Sequence, residues 1–260
     1  MTQTHKVVAY SLDVVEGVAR VTFSRPPVNA MARETYVELG ELCAAIGEHD
    51  GIRVVVLQAA ADSKAWCAGA DLKQLAAASN EDRASRYEVI NPSLARLYNL
   101  NKPVIGALNG GCIGMGMVIA SLCDIRVAAE DAFFSLPEVE RGMAAPVGVF
   151  LTRTGLPSTF VRELLFTGSR FAALDMAWTG FFSHVVPRSQ VVDKAMSIAT
   201  TIARHRPAAI AASKAIANQS EFIDWPEKYV MGQQFSVSLA KSPDAHREIH
   251  EFLAALKETP

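Results

Sequence analysis

The sequence is short of several features that would assign it a role quickly. Its four cysteines (Cys43, Cys67, Cys112 and Cys123) form no CxxC pair, so neither a zinc ribbon nor a dithiol redox motif can be built from them. They read as reduced, mostly buried thiols of a protein kept in a reducing compartment. No apolar run is long enough to cross a bilayer. The longest, Cys112 to Cys123, has 12 residues and stops at Asp124, against the roughly 20 that a spanning helix needs. Neither sign of charge dominates, with 25 basic and 27 acidic side chains, a net charge of −2 and a pI of about 6.3. There is thus no global positive field to draw in nucleic acid or an anionic membrane, and a polyanionic ligand must be met by local cations. Met1 to Lys6 carry neither the basic start nor the apolar stretch of a secretory signal. Repeats and low-complexity tracts are missing too. What is present is 260 residues, half of them hydrophobic. That is enough for one large domain, or a core with a helical appendage, and the expected location is the cytoplasm.

Along the chain, Val7–Leu12 and Val18–Phe23 are rich in β-branched and aromatic residues and flank Asp13–Gly17, which predicts a hairpin. Helical spacing follows, with Val37, Leu39, Leu42, Cys43 and Ile46 on one face. Val54–Leu57 and Pro103–Leu108 are continuous apolar runs of strand length, as expected of strands covered on both sides. A polar, helix-prone stretch reaches about Leu100, and Ile125–Ala128 and Phe133–Ser135 predict further short strands. From Pro146 onward helices dominate, over 146–154, 158–167, 172–178, 190–205, 208–218, 226–240 and 243–256. The predicted organisation is an α/β core over residues 1–190 and a helical C-terminal region over 191–260.

Two glycine-bearing turns follow buried strands and lead toward helices, Cys67-Ala68-Gly69-Ala70-Asp71 and Asn109 through Gly116. A helix start presents N–H groups that have no intrahelical partner. Two such turns side by side would aim two donors at one oxygen, which suits a carbonyl becoming an enolate. Each turn alone is also compatible with ordinary strand-to-helix packing. A dinucleotide fingerprint is excluded, because Gly111, Gly114 and Gly116 give G-x-x-G-x-G in place of G-x-G-x-x-G.

Several ordered motifs carry a resemblance to one family. Trp66-Cys67-Ala68-Gly69-Ala70-Asp71-Leu72 resembles the F-C-A-G-A-D-L signature of the crotonase (enoyl-CoA hydratase/isomerase) family. Lys102 to Gly110 is similar to its K-P-V-I-A-A-V-N-G segment. Cys123–Ala128 with Leu136-Pro137-Glu138 matches the next stretch, and Ser24-Arg25-Pro26 through Asn29-Ala30-Met31 resembles its R-P-x-x-x-N-A-L segment. The resemblance implies a crotonase-like spiral of ββα units with a helical C-terminal trimerisation region, assembled as a homotrimer or hexamer. It implies that the N–H groups of Ala70 and Met115 form an oxyanion hole for a thioester carbonyl, with Glu138 as the catalytic acid/base. Pro27, Val28, Ala68, Asp71 and Leu72 would lie along coenzyme A, which arrives as part of an acyl-CoA substrate. No metal, other cofactor, nucleic-acid or membrane partner is implied.

The sequence departs from the family pattern at one informative place. Hydratases of the family carry a second glutamate in the helix after the glycine turn, and Val118 stands at that position here. Valine cannot hold water, whereas moving a double bond from the 3,4 to the 2,3 position needs only one base. Val118 and the pair Ala145-Pro146 resemble the monofunctional Δ3-Δ2-enoyl-CoA isomerases, so isomerase-type chemistry is the first expectation. A hydratase or hydratase-lyase working with one glutamate is the alternative, and a non-catalytic acyl-CoA-binding protein is the alternative of another class. Glu140 is a candidate second carboxylate if 138–140 is extended, since residues two apart then share a face. The adjacent pair Glu140-Arg141 reads first as a solvated or salt-bridged pair. His184 reads as a structural or surface histidine. Met115, Met117, Tyr87, Ile90 and Met143 are the candidate acyl-pocket residues. The 81–99 stretch mixes Arg83, Arg86 and Arg96 with Glu81, Asp82 and Glu88, which argues against nucleic acid.

Overall fold

The apolar runs of the first half of the chain become the strands of one sheet. The computed structural model describes residues 9–221, 225–239, 241 and 243–258; Val7 and Val8 of the predicted first strand lie outside them. Strands β1 (Tyr10–Val15) and β2 (Val18–Phe23) pair antiparallel. The predicted turn shrinks to Glu16 and Gly17, both at positive φ (49° and 80°), the geometry of a two-residue hairpin turn that follows strand twist. From β2 the sheet continues in parallel through β3 (Val54–Ala59), β4 (Val104–Leu108), β6 (Ile125–Ala129) and β9 (His184–Val186). All five residues of β4 are buried, as befits a parallel strand covered on both faces. His184 is half-buried in β9, opposite Val127.

A second, small sheet gives the chain its spiral course. Strand β5 (Cys112–Ile113) pairs in parallel with β7 (Phe133–Ser135), which pairs antiparallel with β8 (Phe171–Ala172). The strand–strand–helix units thus feed both sheets in turn.

Helix α1 (Arg33–Glu48) buries Tyr36, Leu39, Cys43 and Ile46. Val37 does not join that face. It is 40 % exposed, because it lies about 200° from Leu39 at 100° per residue and Tyr36 takes the inward position. The predicted polar helix divides into α2 (Leu72–Ala77), α3 (Asn80–Ser85) and α4 (Tyr87–Tyr98). Local caps explain the division. Asp71 accepts from Lys73 and Gln74 N–H to start α2, and Ser79 with Asp82 forms a capping box that starts α3.

Helix α5 (Met115–Leu122) is buried along its whole length. After a 3-10 turn over Pro137–Arg141 come α6 (Gly148–Arg153), α7 (Ser158–Thr167) and α8 (Ala173–Met176). Helices α9 (Val191–Ala203), α10 (Pro207–Gln219), α11 (Trp225–Leu239) and α12 (Pro243–Glu258) follow. Helix α9 packs on β2, β3, β4 and β6, while α12 lies against α2 and the 3-10 turn. A buried ion pair anchors α10, with Lys214 Nζ 2.8 Å from Asp124 Oδ2 and 3.0 Å from the Lys102 carbonyl. None of the described helices is long and apolar enough to cross a membrane.

Candidate active site

Three loops are laced together by main-chain hydrogen bonds at one end of the sheet. Met31 N–H donates to Gly69 O at 2.7 Å, Asp71 N–H to Met31 O at 3.0 Å, and Ala68 N–H to Val28 O at 3.1 Å. On the other side, Cys67 N–H donates to Gly111 O and Ile113 N–H to Cys67 O. The 67–71 loop is therefore held between residues 28–31 and 111–113 as a short strand would be. Asn29 locks this junction. Fully buried and at φ 55°, it donates to the carbonyls of Phe23, Ala65 and Trp66 and accepts from Arg25 N–H.

This lacing leaves two amides out. Among the described residues, neither Ala70 N–H nor Met115 N–H has an acceptor, the first because the bridge to Met31 uses its neighbours, the second because it opens α5. The two turns lie against each other. A Cβ placed on Gly69 (φ 87°) would fall 2.7 Å from Ile113 O and 3.4 Å from the Met115 nitrogen. Glycine is thus required there by both conformation and contact.

Glu138 reaches the same place from the 3-10 turn. Its Oε1 lies where a Cβ on Gly114 would stand, 2.4 Å from that position. Gly114 has φ 52°, and its N–H is held by Ser135 O at 3.0 Å. Glu138 Oε2 is shut off from solvent and has no hydrogen-bond partner. Burial pushes the Glu138 carboxyl up to about 7, against the lowering influence of its own main-chain N–H and of Arg141. A carboxyl of that kind can both take and return a proton near neutral pH.

A cleft of about 2340 Å³ opens over these groups. It is lined by all eight residues singled out in the sequence: Glu138, Ala70, Met115, Pro27, Val28, Ala68, Asp71 and Leu72. Asp71 is not a free carboxylate. Burial raises its carboxyl, but N–H donation from Gln74 and the Arg25 guanidinium 2.7 Å away outweigh this and hold it below the usual range. Its side chain therefore shapes the loop and caps α2. Tyr87, Ile90, Met115 and Met143 line the cleft as expected. Met117 does not, because α5 is enclosed on all sides and its side chain is wholly in the core. Val118 is equally buried and offers the cleft no polar atom.

The geometric basis for Glu140 is corrected. Residues 137–141 form a 3-10 turn, in which positions three apart eclipse and positions two apart diverge. Glu140 is exposed and packs against Gly168 at the rim. Sequence reading gave no role in a site to the cations that line the cleft, Arg25, Lys64, Lys73, Arg86, Arg141 and Arg170. Of these, Arg25 alone stood in a recognisable motif. It also missed Phe252 and Leu253 of α12, which roof the cleft from the far end of the chain. The four cysteines are free and buried, and burial pushes the Cys67 thiol up to about 12. They supply no nucleophile.

Comparison with known proteins agrees with this frame. A family model for enoyl-CoA hydratase/isomerase matches residues 13–259. The chain is 31 % identical over 236 residues to the (7aS)-7a-methyl-1,5-dioxo-2,3,5,6,7,7a-hexahydro-1H-indene-carboxyl-CoA hydrolase of Rhodococcus jostii, covering 90 % of each chain. It is 31 % identical over 246 residues to the 2,3-dehydroadipyl-CoA hydratase of Escherichia coli, covering 94 % of each. It superposes on the structure of a carnitinyl-CoA dehydratase from Mycobacterium avium with a TM-score of 0.78 and 30 % identity, covering 94 % of this chain and 96 % of that one.

Proposed function

Because the chain belongs to the enoyl-CoA hydratase/isomerase family, we propose that it binds an acyl-CoA thioester and moves protons on its acyl group through an enolate. The thioester oxygen would lie between the N–H groups of Ala70 and Met115, whose donors have no other acceptor among the described residues. Glu138 would be the acid/base, taking a proton from the carbon next to the carbonyl or returning one to it. The single observation that carries this reading is the position of the Glu138 carboxyl. It lies against Gly114, one residue from the Met115 amide, and burial holds it near 7. Pro27, Val28, Ala68 and Leu72 would contact coenzyme A, with Asp71 holding their loop and Arg25, Lys64 and Lys73 answering its phosphates. Coenzyme A enters as part of the substrate and is the one group this chemistry needs.

With Val118 in place of a second carboxylate, relocation of a 3,4 double bond to the 2,3 position is the first reading. Glu138 removes the C2 proton, the two amides hold the dienolate, and the same carboxyl delivers the proton to C4. Addition or removal of water with one glutamate is the second reading, favoured by relatives named hydratase and dehydratase. A paired spectroscopic assay with trans-3-hexenoyl-CoA and crotonyl-CoA separates them. Conversion of the 3-enoyl thioester alone supports relocation, and consumption of crotonyl-CoA alone supports hydration. In either case Glu138→Gln keeps the size and hydrogen bonding of the side chain and is expected to lower the rate by about 10²- to 10⁴-fold. Full activity in that variant contradicts the proposal.

The assembly proposed is a homotrimer or hexamer built through the helices from residue 191 onward, on the core of 1–190. Ile216, Met231 and Phe235 support it, as large apolar side chains exposed on α10 and α11. Four free thiols suit a reducing cytoplasm.

A further inference from the structure

Among the described residues, Arg141 in the wall of the cleft forms no ion pair. Its Nη1 donates to the Pro137 carbonyl at 2.9 Å, and its guanidinium lies 4.0 Å from the centroid of the Phe252 ring. Its Nε is buried without a partner, and no described carboxylate forms an ion pair with it. Arg170 stands near it on the same wall, its guanidinium 5.0 Å from the Phe133 ring, and it too lacks a hydrogen bond or ion pair among the described residues. Two guanidiniums are thus oriented by a carbonyl and by aromatic rings, with no described acid in ion-pair contact with either. The nearest carboxylates are otherwise placed, Glu140 at the rim against Gly168 and Glu138 against Gly114. Arg141 lowers the Glu138 carboxyl from nearby without forming an ion pair with it, and burial still leaves that carboxyl raised.

Leaving a guanidinium half-buried and unpaired is costly, and the cost is recovered when an anion arrives. Glu138 and Arg141 are three residues apart on a 3-10 turn, so they face the same way, separated by roughly 6 Å along its axis. An anion received there would belong to the acyl group, a few carbons beyond the one Glu138 is proposed to deprotonate. We propose that the acyl group carries a carboxylate at its far end, received by Arg141 with Arg170, so that the substrate is the coenzyme A monothioester of a short dicarboxylic acid. This rests on the acyl-CoA reading above and adds the substrate class to it.

The test is a set of affinities measured by calorimetry. Glutaryl-, adipyl- and suberyl-CoA are compared with pentanoyl-, hexanoyl- and octanoyl-CoA, on wild type, Arg141→Gln, Arg141→Lys and Arg170→Gln. The wild type is expected to favour the carboxylated member of at least one pair by about 10- to 100-fold. That ratio should fall toward unity in Arg141→Gln, survive in part in Arg141→Lys, and weaken in Arg170→Gln, whose side chain is exposed. A purely structural role for Arg141 would lower both members of a pair together and leave the ratio unchanged. A wild-type ratio near unity with both thioesters bound overturns the carboxylate proposal and leaves the acyl-CoA reading intact. Failure of every thioester to bind overturns both.

Discussion

The buried position of Glu138 costs the fold stability once its carboxyl is ionised. An unburied glutamate carboxyl titrates near 4.5, and in the folded chain it titrates near 7. Between those values the folded state binds more protons than the unfolded one, so this group makes stability fall as pH rises through the window. Each pH unit between the two values is worth about 1.36 kcal/mol, so the loss is at most about 3 to 4 kcal/mol. Glu138→Gln has no charge to bury. The variant is expected to be more stable than wild type at pH 8 in urea titrations, with the gap closing as pH drops to about 4. A gap that is the same at both values would show that the carboxylate is not held in a desolvated site. The place of Glu138 in the cleft was legible in the sequence through its motif, and the valine in α5 through spacing alone. The guanidinium of Arg141 was not, since nothing in Glu140-Arg141 distinguishes a cleft-facing arginine from a solvated pair until Phe252, more than a hundred positions away, is seen stacked on it.

At the scale of elements, the site depends on how closely a turn and a helix start can approach. Gly114 illustrates the constraint, because its φ of 52° and the 2.4 Å contact of an added Cβ with Glu138 Oε1 both forbid a side chain. Gly114→Ala is expected to keep native circular dichroism and lose about 100-fold in kcat, because the carboxyl must move. Retention of full activity would mean that the carboxyl does not work from this position. The strands and most helices could be read from apolar runs and proline or glycine punctuation. Helix α7 matched its predicted span, Ser158–Thr167. The division of the 72–98 stretch was missed because it depends on side-chain caps at Asp71 and Ser79 that compete with helical propensity. Residues 137–141 form a 3-10 turn, which removes the condition under which Glu140 would share a face with Glu138. Strands β8 and β9 are too short to leave a periodic signal.

For the whole molecule, the C-terminal helices do two things at once. Helix α12 closes over the 3-10 turn and α2 within the same chain, with Phe252 and Leu253 in the cleft roof. Helices α10 and α11 leave Ile216, Met231 and Phe235 open to solvent, a surface suited to contact between copies. Light scattering on the purified protein is expected to give the mass of three or six chains of 28.0 kDa. A monomer at micromolar concentration would contradict that assembly without touching the chemistry. The path from sequence to this level is the least direct, since periodicity finds the helices and only the folded chain says which of their faces remain uncovered.

The central claim is that one buried carboxyl and two unpaired amides turn an acyl-CoA into its enolate. It is tested most directly by following exchange of the C2 protons of a saturated thioester, butyryl-CoA, in deuterium oxide by NMR. Exchange needs neither water addition nor a double bond, so it isolates the enolate step from the reaction that follows. The expected result is exchange by the wild type, faster above pH 7 than below it, and loss of that exchange in Glu138→Gln with the thioester still bound. Bound thioester whose C2 protons do not exchange in the wild type, or exchange undiminished in Glu138→Gln, would contradict the account.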